Sequence, residues 1–154
     1  MELSVEKRGD LAEELLNGTM AALKVVVPVP LMVDQIEEQT SHLELTYGVL
    51  IGFAGDIKGN LVIKGDREVF SKLGEKMFGM PLEGEMLLSF SGEFGNMLAG
   101  SLATFISHKG FETDITAPTV LQGNTYLSGH EKSICLPIRY DDIGKLDIYL
   151  MLKM

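Results

Sequence analysis

Two segments of this chain, 79 residues apart, carry the same arrangement, and that echo limits the folds open to it. In "DLAEELLNGTMA" the order is Asp10, Glu14, Asn17, Ala21; in "SFSGEFGNMLAG" it is Ser89, Glu93, Asn96, Gly100. Each reads as a small polar residue, three intervening residues, Glu, two intervening residues, Asn, and a small residue one turn beyond. A diverged internal duplication would produce this pattern. It implies a fold with a pseudo-twofold axis and two related helices side by side.

Both segments have helical apolar spacing. At about 100° per residue, Leu87, Phe90, Phe94, Met97, Leu98, Leu102 and Phe105 collect on one side of the later segment. That side is expected to face a sheet. Ser89, Glu93, Asn96, Gly100, Ala103 and Ser107 collect on another side. An ordinary wet face would carry long charged chains. Gly100 and Ala103 instead leave the neighbouring backbone open to close approach. In the earlier segment Asp10, Glu14, Asn17 and Ala21 share one face, with Leu11, Leu15 and Leu23 on another.

The remaining elements follow from local signals. A helix is expected from Asp10 to about Lys24, with Asp10 as N-cap and Glu13 completing a capping box. The prolines of "VVVPVPLMV" favour extended chain. Alternation in "SHLELTYGVLIGFAG", a turn at "GDIKG" and the partner "NLVIKG" make a hairpin. "DREVFSKLGEKMFG" reads as a short helix begun by an aspartate cap and closed at Gly79, before a break at Pro81. The long helix spans roughly Glu85 to His108 and ends at Gly110. After Pro118, "TVLQGNTYLSG", "KSICLPIRY" and "GKLDIYLMLKM" give three strands. The reading is one α+β domain over residues 1–154, with helices packed on a largely antiparallel sheet.

Composition narrows the function. With 45% hydrophobic residues in 154, the chain is long enough to bury a real core. Its formal charge is −9, from 22 acids against 13 basic residues with no dense basic cluster, so nucleic acid is a poor partner. The longest apolar run, Val25 to Val33, is broken by two prolines and falls short of the roughly 20 residues a membrane helix needs. No secretory leader pattern is evident, and the expected location is the cytoplasm, without membrane insertion. That expectation also discounts the Asn17-Gly18-Thr19 glycosylation triplet. The single cysteine, Cys135, reads as a small core hydrophobe, and the methionines as core filler. His42, His108 and His130 are too scattered to suggest a metal site, and "GDIKGN" lacks the residues of a phosphate-binding loop.

The Glu–Asn pair remains as the candidate chemistry. Neither group is a strong nucleophile at neutral pH, and no histidine or hydroxyl stands at a spacing suited to covalent catalysis. Asparagine accepts a hydrogen bond from water and donates one to a phosphoryl oxygen. Such positioning carries much of phosphoryl transfer. Glutamate on the same face is suited to pair with a lysine brought by another protein. The same open face equally suits a binding module that docks a partner without chemistry, or a dimer subunit that buries it.

At these residues the sequence resembles the CheC/CheX class of chemotaxis phosphatases, which are related to flagellar-switch proteins. The family motif has Asp or Ser, three residues, Glu, two residues, Asn, and a later proline. Here it reads as Ser89, Glu93 and Asn96, with Pro118 in "ITAPTVLQG" one position early. "GFAGDIKGNLVIKG" and "ETDITAPTV" also resemble the family, so the likeness covers most of the chain and is nearest the single-motif CheX-like members. The resemblance implies hydrolysis of the aspartyl phosphate of a CheY-like response regulator. In that analogy Asn96 orients the attacking water and Glu93 pairs with the regulator's lysine, while the regulator supplies the phosphoaspartate and a bound Mg²⁺. It implies no cofactor in this chain. It also implies a homodimer, and a candidate second site at Glu14 and Asn17, for which the expected proline is missing: position 40 is Thr.

Overall fold

The computed structural model describes residues 5–39, 42–129 and 132–153, so Thr40 and His130 lie outside the described residues. In chain order the elements are α1 (Val5–Val26), β1 (Leu31–Val33), β2 (Glu37–Gln39), β3 (His42–Gly55), β4 (Lys58–Lys64), α2 (Arg67–Phe78), α3 (Gly84–Ser107), β5 (Thr113–Ile115), β6 (Thr119–Ser128), β7 (Lys132–Tyr140) and β8 (Gly144–Lys153).

The strands form one antiparallel sheet in the order β1-β7-β8-β4-β3-β5, with β2 also on β7 and β6 also on β3. Exchanging α1 with α3, β1 with β5, β2 with β6, β3 with β7 and β4 with β8 reproduces this order read backwards. The strand pairing therefore has the pseudo-twofold form that the repeated helix pattern implied. Each half sends its two leading strands to the other half's hairpin, which interlocks the halves. α2 joins them and has no counterpart.

Packing explains why α1 and α3 lie together on one face. A methyl group on Gly95 would stand 2.7 Å from Val49 Cγ1 and 2.9 Å from Ile51 Cδ1, so α3 rests directly on β3. One on Gly18 would stand 2.7 Å from Leu102 Cδ1 and 2.8 Å from Phe105 Cδ1, so α1 rests on α3. Leu15, Leu23, Phe70, Phe94, Leu98, Ile51, Ile63, Ile138 and Ile148 belong to the core between helices and sheet. A second cluster, Leu43, Leu45, Val62, Cys135, Tyr149 and Met151, forms apart from it. β3 serves both because its pairing with β6 is irregular between Leu45 and Tyr47, which changes the face its odd-numbered residues present.

Four expectations are corrected. α1 begins at Val5, so Asp10 lies inside the helix and is not its N-cap. Asp66 does precede α2, but only its carbonyl receives the first-turn amides of Val69 and Phe70; its side chain makes no cap bond. Met97 is not on the sheet side: it is 38% exposed, and Ser91, Gly95 and Ala99 are buried on that side instead. Nor are the methionines uniformly filler, since Met32, Met80 and Met86 are also exposed while Met151 is buried. α2 does end at Gly79, whose left-handed φ of 80° suits glycine.

Candidate functional site

Rotation of α3 about its own axis decides what it shows to solvent, and Ser91 lies on the side buried against the sheet. Its Oγ donates to the carbonyl of Leu87 at 2.8 Å. The hydroxyl having only one proton, the 2.7 Å contact with Tyr47 Oη has the tyrosine as donor. Tyr47 is itself held, edge-on to Phe70 and beneath the Arg67 guanidinium, 5.6 Å from the ring centre. With Ser91 and Gly95 turned to the sheet, Ser89 and Glu93 are exposed and Asn96 is half-buried. Beyond them Gly100 has nothing within 4 Å of where a side chain would begin.

Pro118 borders this stripe. A methyl group on Gly92 would stand 3.7 Å from both Pro118 Cγ and Val120 Cγ2, which puts the approach to β6 beside the helix turn holding Glu93 and Asn96. That approach is tied down: Thr116 Oγ1 accepts from Gly52 N at 2.8 Å, Thr116 N donates to Gly52 O at 3.0 Å, and Glu112 N donates to Asp56 Oδ2 at 2.8 Å. The structure thus gathers Ser89, Glu93, Asn96 and Pro118 around one open surface.

Glu14 and Asn17 occupy a separate surface. Glu14 is half-buried and Asn17 exposed, while the adjoining Gly18 packs on Leu102 and Phe105. At 100° per residue that flank of α3 is turned about 120° or more from Glu93 and Asn96, so the two pairs do not combine into one site. Where Pro118 immediately precedes β6, the corresponding residue before β2 is Ile36. Thr19, third residue of the glycosylation triplet, is fully buried and bonds Leu15 O at 2.7 Å.

Other features stand apart from the stripe. A groove of about 350 Å³ between the C-terminal halves of α1 and α3 is lined by residues such as Ala22, Val25, Phe105 and Lys109, and includes neither glutamate–asparagine pair. Cys135 is buried in the second cluster, where burial first and the nearby Asp147 charge second push its thiol up to about 11. Burial alone pushes Tyr140 up to about 12. Among the described residues no group of three or more His, Cys, Asp or Glu is placed to hold a metal ion, and no helix is long and apolar enough to cross a membrane. Sequence reasoning missed the exposed Phe78 and Met80 before α3 and Met86 in its first turn. The only signal for them was their place at or beyond helix ends, outside the apolar stripe.

Two interlocked halves, paired helices on one face of an antiparallel sheet, and a glutamate–asparagine stripe on the open side of the later helix define the chemotaxis-phosphatase class of fold. The family described as chemotaxis phosphatase CheX matches residues 47–139. This chain belongs to that family. It is 34% identical over 120 residues to the CheY-P phosphatase CheX of Thermotoga maritima, across 73% of this chain and 77% of that protein. Its fold is similar to a CheC-like superfamily protein from Shewanella sp. PV-4, with a TM-score of 0.78, 23% identity, and 99% and 100% of the two chains covered. It is also similar to a chain of the CheX–CheY–BeF3–Mg²⁺ complex from Borrelia burgdorferi, with a TM-score of 0.75, 21% identity, and 93% and 97% covered.

Proposed function

We propose that this chain hydrolyses the aspartyl phosphate of a CheY-like response regulator, with Glu93 and Asn96 as its working pair. The observation that carries the reading is the placement of both side chains on an open, uncrowded face, away from the side on which Ser91 bonds Tyr47 and Gly95 rests on β3. Relatives support it: the Thermotoga protein is a CheY-P phosphatase, and the Borrelia structure holds CheX with CheY, BeF3 and Mg²⁺.

An exposed face suits a macromolecular substrate that brings the rest of the site. Glu93 pairs with the regulator's active-site lysine and fixes the docked orientation. The Asn96 carbonyl oxygen accepts a hydrogen bond from a water, and its amide donates to a phosphoryl oxygen, which aligns the water with the phosphorus. As the water oxygen bonds to phosphorus, the bond to the aspartyl oxygen breaks; the aspartate leaves as carboxylate and the water proton passes to solvent. Mg²⁺ belongs to the regulator and supplies charge neutralisation there.

Following phosphate decay on CheY-like receiver domains, with and without the chain, tests the reading. Faster decay on at least one receiver is expected. Binding without faster decay would favour the non-catalytic docking module, for which the same open face serves.

A further inference from the structure

Nine large apolar side chains stand exposed among the described residues, and four of them lie on the open side of α3 or on the turn leading into it. Met86 is 57% exposed and Met97 38%; by helical position they flank Glu93, seven residues before it and four after. Phe78 and Met80, from the end of α2 and the turn beyond, are 59% and 52% exposed. The Phe78 ring meets Phe90 edge-on at 5.7 Å, and Phe90 is one turn from Met86 and from Glu93. Phe78 thus meets α3 at the Phe90 turn, with Met80 two residues further along the chain, and Met86 and Met97 lie along the Glu93 edge of the site.

We infer that Phe78, Met80, Met86 and Met97 are the docking rim for the phosphorylated receiver domain, covering apolar residues next to its active-site lysine. The inference rests on the proposed reading of Glu93 and Asn96, and charge complementarity selects this occupant. From Gly84 to Ser107 α3 contains Glu85 and Glu93 and no lysine or arginine, with Glu83 immediately before it. The partner must therefore bring the cation, as a receiver does. Met86 and Met97 flank Glu93, where the lysine pairs, and covering them excludes water from that ion pair. Methionine's flexible thioether adapts to differing partner surfaces, so this rim tolerates variation among receivers while Asn96 does not.

The test uses the receiver whose phosphate decay the intact chain accelerates, loaded with beryllofluoride and Mg²⁺ and titrated with the intact protein. Met86→Ser with Met97→Ser is expected to weaken binding about tenfold or more, and to raise KM for the phosphorylated receiver rather than lower kcat. Met32→Ser, an equally exposed methionine on β1, is the control and leaves affinity unchanged. Met86→Ser alone gives a smaller loss in the same direction. Wild-type affinity in the folded double variant overturns the rim while leaving the phosphatase reading intact. If the intact chain accelerates decay on no receiver, the phosphatase reading fails and the rim falls with it.

Discussion

Tyr47 Oη donates to Ser91 Oγ at 2.7 Å, joining β3 to α3 across 44 residues of sequence. Both residues are buried, on the side of α3 turned away from Glu93 and Asn96. Tyr47→Phe keeps the ring packing and removes only the hydroxyl. It should cost about 1 kcal/mol, lowering Tm by about 2–4 °C in a thermal melt. Ser91→Ala should cost a similar amount and leave the Tyr47 hydroxyl without its acceptor.

Two glycines of α3 should respond in opposite directions. Gly95→Ala gains helix propensity of up to about 1 kcal/mol but drives a methyl group into Val49 and Ile51. Overpacking of about 1–3 kcal/mol should leave it destabilised. Gly100→Ala meets nothing within 4 Å and should be stabilised by up to about 1 kcal/mol. Denaturant midpoints of the two variants check the signs.

Much of this fold was readable because α3 repeats its apolar spacing for some six turns and because its motif is echoed in α1. The echo anticipated the pseudo-twofold strand order. The short strands β1, β2 and β5, three residues each, were not readable, since three residues display no alternation; partners on β7 and β3 define them. Asp10 looked like a cap because Gly9 and the charged residues before it break the apolar pattern, yet the helix continues through them to Val5. Met97 sits at the margin of the apolar arc, where a helical projection cannot tell a buried side chain from an exposed one until α1 and β3 are in place. The Glu93–Asn96 surface was legible as a stripe. The apolar residues beside it were not, because Phe78 reaches α3 through a tertiary contact with Phe90 from another element.

Alkaline pH should weaken the fold through Cys135 and Tyr140. The thiol rises from its ordinary 9.0 to about 11 in the folded chain, and the Tyr140 phenol rises from 10.0 to about 12. Folding thus favours the protonated form of each, so their contribution is complete below about pH 9 and is lost as pH rises toward 11 and 12. Tm should fall across that window, and Cys135→Ala should lose part of the slope. At neutral pH the native thiol should resist a disulfide reagent until the protein is unfolded.

Glu93→Gln preserves size and removes charge. Under the proposed pairing it should raise KM for the phosphorylated receiver about tenfold and flatten the dependence of KM on salt, with thermal stability unchanged because the carboxylate is exposed. Steady-state rates at low and high ionic strength check both effects.

The most direct test compares the intact protein with Asn96→Ala in the decay of phosphate on a CheY-like receiver at saturating receiver concentration. The account predicts faster decay with the intact chain, and an acceleration reduced at least about 100-fold in the variant while receiver binding persists. A folded Asn96→Ala protein that accelerates decay as well as the intact chain would contradict it, and would move the search for chemistry to Glu14 and Asn17.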